Sequence, residues 1–373
     1  MKVAVISTVF GSPWAGSEEL WYQTSLQLLN QGHQVTASLF EVNSSCLQHE
    51  NFISKGGFIH FRKRFKNGRL HVLKYKYFSA YKDIFESKPD TLLLSLGSMT
   101  DLALYPDLLR HIKEQHSLNI ITITLFNSDT IILDTYTREV LQAFCKLTNH
   151  FVFVSHHNHL LAERQLAMKL NNAAIFSSPV SYLDSYQPLP PPVETEVICM
   201  ACVARLDISN KGQDVLLESL SGEKWKQRNW KLTIYGNGND KEYIQQLIHY
   251  YNLDDKVKFG GFVSDTREIW KANHWMVMAS RSEGLSLAVL EAMICGRICI
   301  VTDVGGHGEV IKDSVSGFLS ETFMSKYFEA ALERAWAMKE QFEEMGNHAH
   351  TAAAGIFREK PVDKILNMIE KNK

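Results

Sequence analysis

The stretch Glu283-Gly284-Leu285-Ser286-Leu287-Ala288-Val289-Leu290-Glu291 decides how this chain is read. Two carboxylates bracket small or apolar residues at the point where a strand gives way to a helix. Residues 274–279 read as a buried strand and 285–294 as the helix, stopped by Gly296. Glu283 then sits in the loop at the helix mouth, with Glu291 about two turns inside. At about 1.5 Å of rise per residue, the carboxylates stand on the order of 12 Å apart. That is too far for an acid and a base working on one bond. It suits a grip on the two ends of an extended ligand, with the free N–H groups of the helix N-terminus between them. A nucleotide-diphosphate-sugar has that form, with sugar hydroxyls at one end, ribose hydroxyls at the other and two phosphates in the middle.

Upstream, Val203-Ala204-Arg205-Leu206-Asp207-Ile208-Ser209-Asn210-Lys211-Gly212 follows an apolar run over 197–204 and leads into a helix over 213–220. Two cations therefore stand at a strand end and a helix start, where open α/β sheets bind anions. Arg offers phosphate a planar fork and Lys a mobile point charge. The alternative is a surface salt-bridge cluster of Arg205 and Lys211 with Asp207 and Asp214.

These residues carry a family resemblance. Arg205 with Lys211, Tyr235-Gly236-Asn237-Gly238, Gly260-Gly261-Phe262-Val263, the 283–291 stretch and Gly305-Gly306 follow one another in an order and spacing similar to retaining GT-B glycosyltransferases of family 4, also called glycosyltransferase group 1. The resemblance is strong over 195–319. It reaches the N-terminus weakly, through Ala15-Gly16-Ser17-Glu18 and Gly32-His33-Gln34-Val35. It implies an α/β chain of GT-B plan, two Rossmann-like domains whose parallel sheets face each other across a cleft. It implies too that Arg205 and Lys211 hold the donor diphosphate, that Glu291 binds the ribose, and that Glu283 with Gly284, Leu285, Ser286 and Leu287 contacts the transferred sugar. Gly236, Phe262 and Val263 would lie near the nucleotide, and Gly16 would open the first helix toward the phosphates. Gly305 to Glu309 would form a flexible loop lining the same cleft. No Asp-x-Asp occurs in the sequence, so neither a metal nor any other cofactor is expected beyond the sugar nucleotide itself.

Composition sets the outer bounds. The 373 residues exceed what one core usually serves. A net charge of −2 argues against a general nucleic-acid binder, and no apolar run reaches the roughly 18 residues of a membrane span. Met1 to Ser7 reads as a first buried strand and not a signal peptide, because its apolar run is short and no small-residue cleavage site follows. The 6 cysteines are scattered. Cys199 and Cys202 fall inside a predicted strand at a spacing that sends their thiols to opposite faces, which favours core packing over a metal knuckle. A cytoplasmic protein is expected.

Strand and helix alternate throughout, with strands at 2–8, 34–39, 90–96, 119–125 and 151–155 and helices at 17–30 and 155–170. Pro188-Leu189-Pro190-Pro191-Pro192 reads as a stiff extended linker. The expected division is an acceptor domain over 1–187, a linker over 188–193 and a donor domain over 194–355, with the tail 361–373 packing back on the first domain. Near 124–129 the family often carries a His close to the sugar. Here Asn127 and Asp129 are the nearest polar candidates. His156, His157 and His159 read as a polar helix start and not a metal site.

One feature stands outside the resemblance. From 51 to 82 there is no Asp or Glu, while Arg62, Lys63, Arg64, Lys66, Arg69, Lys74 and Lys76 alternate with Phe61, Phe65, Tyr75, Tyr77 and Phe78. Such a segment over 61–78 is either a solvated loop or a contact with an anionic membrane surface or a lipid-phosphate-linked acceptor, at the inner face of the membrane. The sequence thus points to transfer of a hexose from a nucleotide-diphosphate-sugar donor to a glycan or lipid-linked glycan acceptor, with retention. The rival readings are a sugar-nucleotide epimerase or phosphorylase of the same architecture, and a catalytically dead sugar-binding partner.

Overall fold

A computed structural model describes residues 1–10, 18–41, 46–63, 80–115, 117–124, 126–176, 187–192, 196–357 and 360–371. The chain divides into two compact units, Met1–Val180 with Glu359–Lys373, and Ser181–Arg358.

In the first unit a parallel sheet runs in the order β3-β2-β1-β4-β5-β6-β7. Its strands are β1 (Lys2–Ser7), β2 (Gln34–Phe40), β3 (Phe58–Arg62), β4 (Thr91–Leu96), β5 (Asn119–Thr124), β6 (His150–Phe153) and β7 (Ala173–Ile175). β4 and β5 are buried at every position, which is why they read as continuous apolar runs without alternation. The order turns around between β1 and β4, making that junction the topological switch point. The tail forms the helix Pro361–Glu370, which buries Val362, Ile365, Leu366 and Ile369. It packs against the helix Glu19–Asn30 of this same unit, and Asn119 Nδ2 donates to the Met368 carbonyl at 3.2 Å.

The second unit repeats the plan with the order β10-β9-β8-β11-β12-β13. Its strands are β8 (Ile198–Val203), β9 (Trp230–Tyr235), β10 (Val257–Gly261), β11 (Trp275–Met278), β12 (Ile298–Thr302) and β13 (Gly317–Ser320). Here the switch point lies between β8 and β11. Trp225, Trp230 and Trp275 are fully buried. Trp336 meets the rings of Trp225 and Trp275 edge-on at 5.5 and 6.1 Å, a preferred geometry for aromatic pairs.

Several expectations change, here and at the site. The helix after β6 begins where predicted, with Ser155 accepting the Asn158 N–H at 3.1 Å. It stops at Leu166, because Ala167 turns left-handed at φ 48°. The linker is not a free spacer over its described part. Leu189 is buried and donates to the Cys295 carbonyl at 3.0 Å. The buried Arg297 guanidinium donates to the carbonyls of Leu189 (3.1 Å), Pro190 (2.7 Å) and Trp270 (2.8 Å). The prolines thus form a strap bound to the second unit. Arg62 does not belong to an exposed basic patch. Its guanidinium is buried, donates to the carbonyls of Ser38 and Ser7, and stacks over Phe40 at 4.5 Å and Tyr81 at 5.0 Å. The rest of that segment, from Arg64 to Phe78, lies outside the described residues. Among the described residues, no helix is long and apolar enough to cross a membrane. The fourth change concerns the helix mouth at Leu285.

Candidate functional site

The site of the second unit is built at the switch point from the loops that leave β8 and β11. After β8 the chain passes Arg205 and Asp207 into a single helical turn, Ile208–Lys211. Gly212 follows at φ +59°, so close to the end of β11 that a Cβ there would lie 2.0 Å from the Ala279 carbonyl oxygen. Only glycine permits both the left-handed turn and that approach. The close contact pins Lys211 against the β11 loop. Its amine meets Glu283 Oε1 at 2.5 Å, and the Ser280 hydroxyl donates to the same oxygen at 2.8 Å. The side chains of this pair are 20% and 7% exposed, so both charges are held mostly out of water. Arg205 differs. It reaches Asp207 at 3.1 Å but stays 61% exposed, free to swing onto an arriving anion. Burial tends to raise the Asp207 carboxyl, but hydrogen bonds from Ser209 and Asn210 and the Arg205 charge hold it below the usual range.

The helix beyond Glu283 spans Leu287–Ile294 and begins two residues later than predicted. Ser286 caps it in an extended conformation, at φ −68° and ψ 119°. Gly284, Leu285 and Ser286 are therefore loop. The first turn carries no acidic residue and receives no side-chain cap, leaving the positive end of the helix available to an anion. Glu291 is buried in the second turn of this helix. Gly236 and Gly238 press on the carbonyls of Ala204 and Leu206. Phe262 stands 75% exposed, and Val263 is half-buried.

The Gly305-Gly306 segment is not the flexible loop expected. Gly305, at φ +56°, lies so near Glu283 that a Cβ would come within 2.3 Å of its carbonyl oxygen, and the Gly306 N–H donates to the Gly284 carbonyl at 2.6 Å. A close backbone approach, and not a need for motion, explains the glycine at 305. His307 beside it is wholly buried, with Nδ1 at 2.9 Å from the Thr302 carbonyl oxygen. Burial holds this imidazole below its ordinary pKa, against the pull of the Glu283 carboxylate.

In the first unit, Asn127 is buried and its amide donates to the Asn158 carbonyl at 3.3 Å. Asp129 pairs with His157 at 2.8 Å and lies 3.5 Å from Arg164, and His159 approaches Glu163 at 3.5 Å. Among the described residues, no cluster of three or more His, Cys, Asp or Glu is arranged to hold a metal. Gly16 lies outside the described residues. Glu18, at the C-terminal edge of β1, is buried and accepts the Ser7 hydroxyl at 2.9 Å. Burial pushes its carboxyl up to about 7, against the opposing effect of Ser7, Trp21, Arg62 and Ser95.

Of the three residues that sequence reasoning assigned to one site, Lys211 and Glu283 are in contact, while Arg205 pairs with Asp207. That reasoning passed over Ser280, Arg281 and His307, each within a few positions of a motif it had singled out. It also assigned Asp214 as an alternative partner of Arg205 or Lys211, whereas Asp214 is gripped by Arg281, at 2.8 Å on both oxygens.

Comparison with known proteins agrees with this architecture. The family described as glycosyl transferases group 1 matches residues 190–351. The putative glycosyltransferase EpsD of Bacillus subtilis is 29% identical over 43% of this chain and 42% of its own length. The lipopolysaccharide 1,6-galactosyltransferase of Escherichia coli is 28% identical over 41% of this chain and 45% of its own. The chain thus spans under half the length of these two relatives. Among solved structures, Anabaena Alr3699/HepE in complex with UDP superposes with a TM-score of 0.75 at 14% identity, covering 100% of this chain and 99% of that one. Residues 190–351, within the second unit, thus match the glycosyltransferase group 1 family, and the chain, with its two parallel sheets, has the GT-B fold of these structural neighbours.

Proposed function

We propose that the protein transfers a hexose from a nucleotide-diphosphate-sugar to a hydroxyl of a glycan or lipid-linked glycan, with retention of anomeric configuration. The observation that carries the reading is the Lys211–Glu283 pair at the switch point, beside an uncapped helix mouth and the mobile charge of Arg205. On donor arrival the diphosphate takes Lys211 and Arg205 as counter-ions, and Glu283 turns to the sugar hydroxyls. Glu291 accepts the ribose hydroxyls. These two cations and the helix N-terminus supply the charge that stabilises the departing nucleotide, worth several kcal/mol in a site closed to water, so the transfer runs without a metal.

Retention by a double displacement needs two carboxylates roughly 5–5.5 Å apart at the sugar, whereas Glu291 is assigned here to the ribose end of the ligand, away from Glu283. The reading favoured is attack on the face the nucleotide leaves. The bond between the anomeric carbon and the diphosphate oxygen breaks, the acceptor oxygen bonds to the same carbon, and its proton passes to the departing phosphate oxygen. Trapping of a glycosyl-enzyme on Glu283, seen by mass spectrometry, would rule this out.

The acceptor is assigned to the first unit. There the run of cations and aromatics in the sequence of residues 63–78 supports contact with an anionic lipid surface at the inner face of the membrane. Changing Lys63, Arg64, Lys66 and Arg69 to Ser should release the protein from phosphatidylserine vesicles; unchanged binding removes the membrane from the proposal. For the donor, the test is a thermal-shift panel of UDP, GDP, ADP and dTDP without added metal. UDP heads it because the Anabaena neighbour was solved with UDP. A ligand at a hundred times its Kd stabilises by about 2.7 kcal/mol. A shift with one nucleotide, lost in Lys211→Ala, is the expected result. No shift with any of the four would sink the donor reading.

A further inference from the structure

Each of three cations around the switch point has a carboxylate partner: Lys211 with Glu283, Arg205 with Asp207, and Arg281 with Asp214. Under the proposed donor reading the first two partnerships have to loosen when a diphosphate arrives. The third is built differently. Arg281 and Asp214 meet fork to fork, at 2.8 Å on each oxygen, the geometry in which guanidinium and carboxylate hold each other most firmly. Both side chains are about three-quarters buried, at 26% and 25% exposure. The fork has a further partner, because Arg281 Nη1 also donates to the Ile208 carbonyl at 2.6 Å. The Phe323 ring lies 5.7 Å from the guanidinium carbon.

The backbone at the same place completes the clip. The N–H groups of Arg281 and Ser282 both donate to the Asn210 carbonyl, at 2.8 and 3.4 Å. Residues 208, 210 and 214 are thereby tied to residues 281 and 282. Lys211 lies inside the tied segment, and Glu283 directly follows it on the other strand's loop. Gly212 is jammed against the Ala279 carbonyl, so the Lys211 backbone has no independent freedom to adjust. Whatever sets residue 281 sets the height of the amine over the carboxylate.

We propose that the Arg281–Asp214 pair is a positioning device for the donor site, holding the loop that carries Lys211 in register with Glu283 without itself touching the ligand. This rests on the donor reading given above. A positioning residue acts through the group it positions, and that gives it a signature. Loss of the Arg281 fork should matter while Lys211 is present and cease to matter when Lys211 is gone. Misplacement of a binding group by about 1 Å can cost on the order of a hundredfold, so a loss of roughly ten- to a hundredfold in nucleotide affinity is expected for Arg281→Lys, which keeps the charge and loses the planar fork.

The experiment is titration calorimetry with whichever of UDP, GDP, ADP and dTDP binds the wild type, on Arg281→Lys, Asp214→Asn, Lys211→Ala and the double variant Lys211→Ala/Arg281→Lys. Melting temperatures are recorded for each. Arg228→Lys serves as a control, because Arg228 makes a comparable fork to Glu333, at 2.6 and 2.9 Å, in the same unit. The expected result is weakened binding in Arg281→Lys and Asp214→Asn, unchanged binding in Arg228→Lys, and a double variant no weaker than Lys211→Ala. Asp214→Asn keeps the side-chain shape, so it carries the test if Arg281→Lys folds poorly. Unchanged affinity in both single variants, or losses that add fully in the double variant, overturn the positioning role and leave the donor reading standing. A wild type that binds none of the four nucleotides overturns both.

Discussion

Glu18 offers the sharpest test of the physical account of the first unit. Its carboxyl is buried at the C-terminal edge of β1, hydrogen-bonded to Ser7, and pushed from an ordinary 4.5 up to about 7. The folded state therefore holds a proton here that the unfolded chain releases well below neutrality. The contribution to stability is fully present below the unfolded pKa and is lost as pH rises through about 7. The displacement converts to a cost of about 3 kcal/mol for the ionised form at pH 8. Glu18→Gln keeps an oxygen to accept the Ser7 hydroxyl and carries no charge to bury. The variant should match the wild type within about 1 kcal/mol at pH 5 and exceed it by about 2–3 kcal/mol at pH 8, the lower figure allowing for the lost attraction to Arg62. Urea unfolding at pH 5, 6, 7 and 8, followed by tryptophan fluorescence, checks this, since Trp21 on the adjoining helix is fully buried. A wild type whose stability is flat across that range, or a variant weaker than wild type at pH 8, would refute the reasoning. Arg62 would then be holding the carboxylate ionised.

The second unit should show the opposite slope. Burial depresses the pKa of His307, so its contribution is present above the ordinary imidazole value and lost as pH falls below it. His307→Gln should flatten the acid limb of the second unit's melting curve. Gly305→Ala places a Cβ 2.3 Å from the Glu283 carbonyl oxygen at φ +56°. It should cost at least about 2 kcal/mol in urea unfolding and weaken nucleotide binding as Glu283 shifts. Arg297→Ala removes three hydrogen bonds to carbonyls. A loss of about 2–4 kcal/mol and faster proteolysis across 187–192 are expected, and protease resistance equal to wild type would count against a bound strap. Arg62→Ala should lower the first unit's melting temperature and leave vesicle binding unchanged, because its guanidinium is enclosed by carbonyls and rings.

The strands were legible because apolar runs between turn residues report burial directly. β1, β5 and β11 show how little else is needed. That Lys211 and Glu283 would stand at neighbouring strand ends was legible because local order in an α/β unit fixes which strand ends meet. What escaped the sequence depended on contacts between distant segments. The start of the helix at Leu287 is one case, since Leu285 is a good helix former and nothing in the local sequence forbids a helix there. The Gly284 carbonyl is taken by the Gly306 N–H instead, and the loop stays extended through Ser286. Arg62 is another. A count of charges along 51–82 sees one more cation, and only the meeting of β1, β2 and β3 encloses it. Asp214 sits three positions from Lys211 and reads as its partner, yet Lys211 faces Glu283 and Asp214 receives a fork from 67 residues away. In each case the deciding partner is set by packing, which spacing cannot express.

The Arg297 strap bears on how such chains are cut and rejoined. The match to the glycosyltransferase group 1 family begins at residue 190, which invites a seam for gene fusion at or just after the prolines. The fork on the carbonyls of Leu189 and Pro190 makes that seam a poor one. A second unit spliced at 194 would leave its own strap behind, uncovering the seat of Leu189 and taking two of its three carbonyl acceptors from a buried guanidinium. A graft that begins upstream of Pro188 carries the strap with it. For exchange of the second unit between relatives, the piece to carry is the second sheet together with the short proline segment that precedes it.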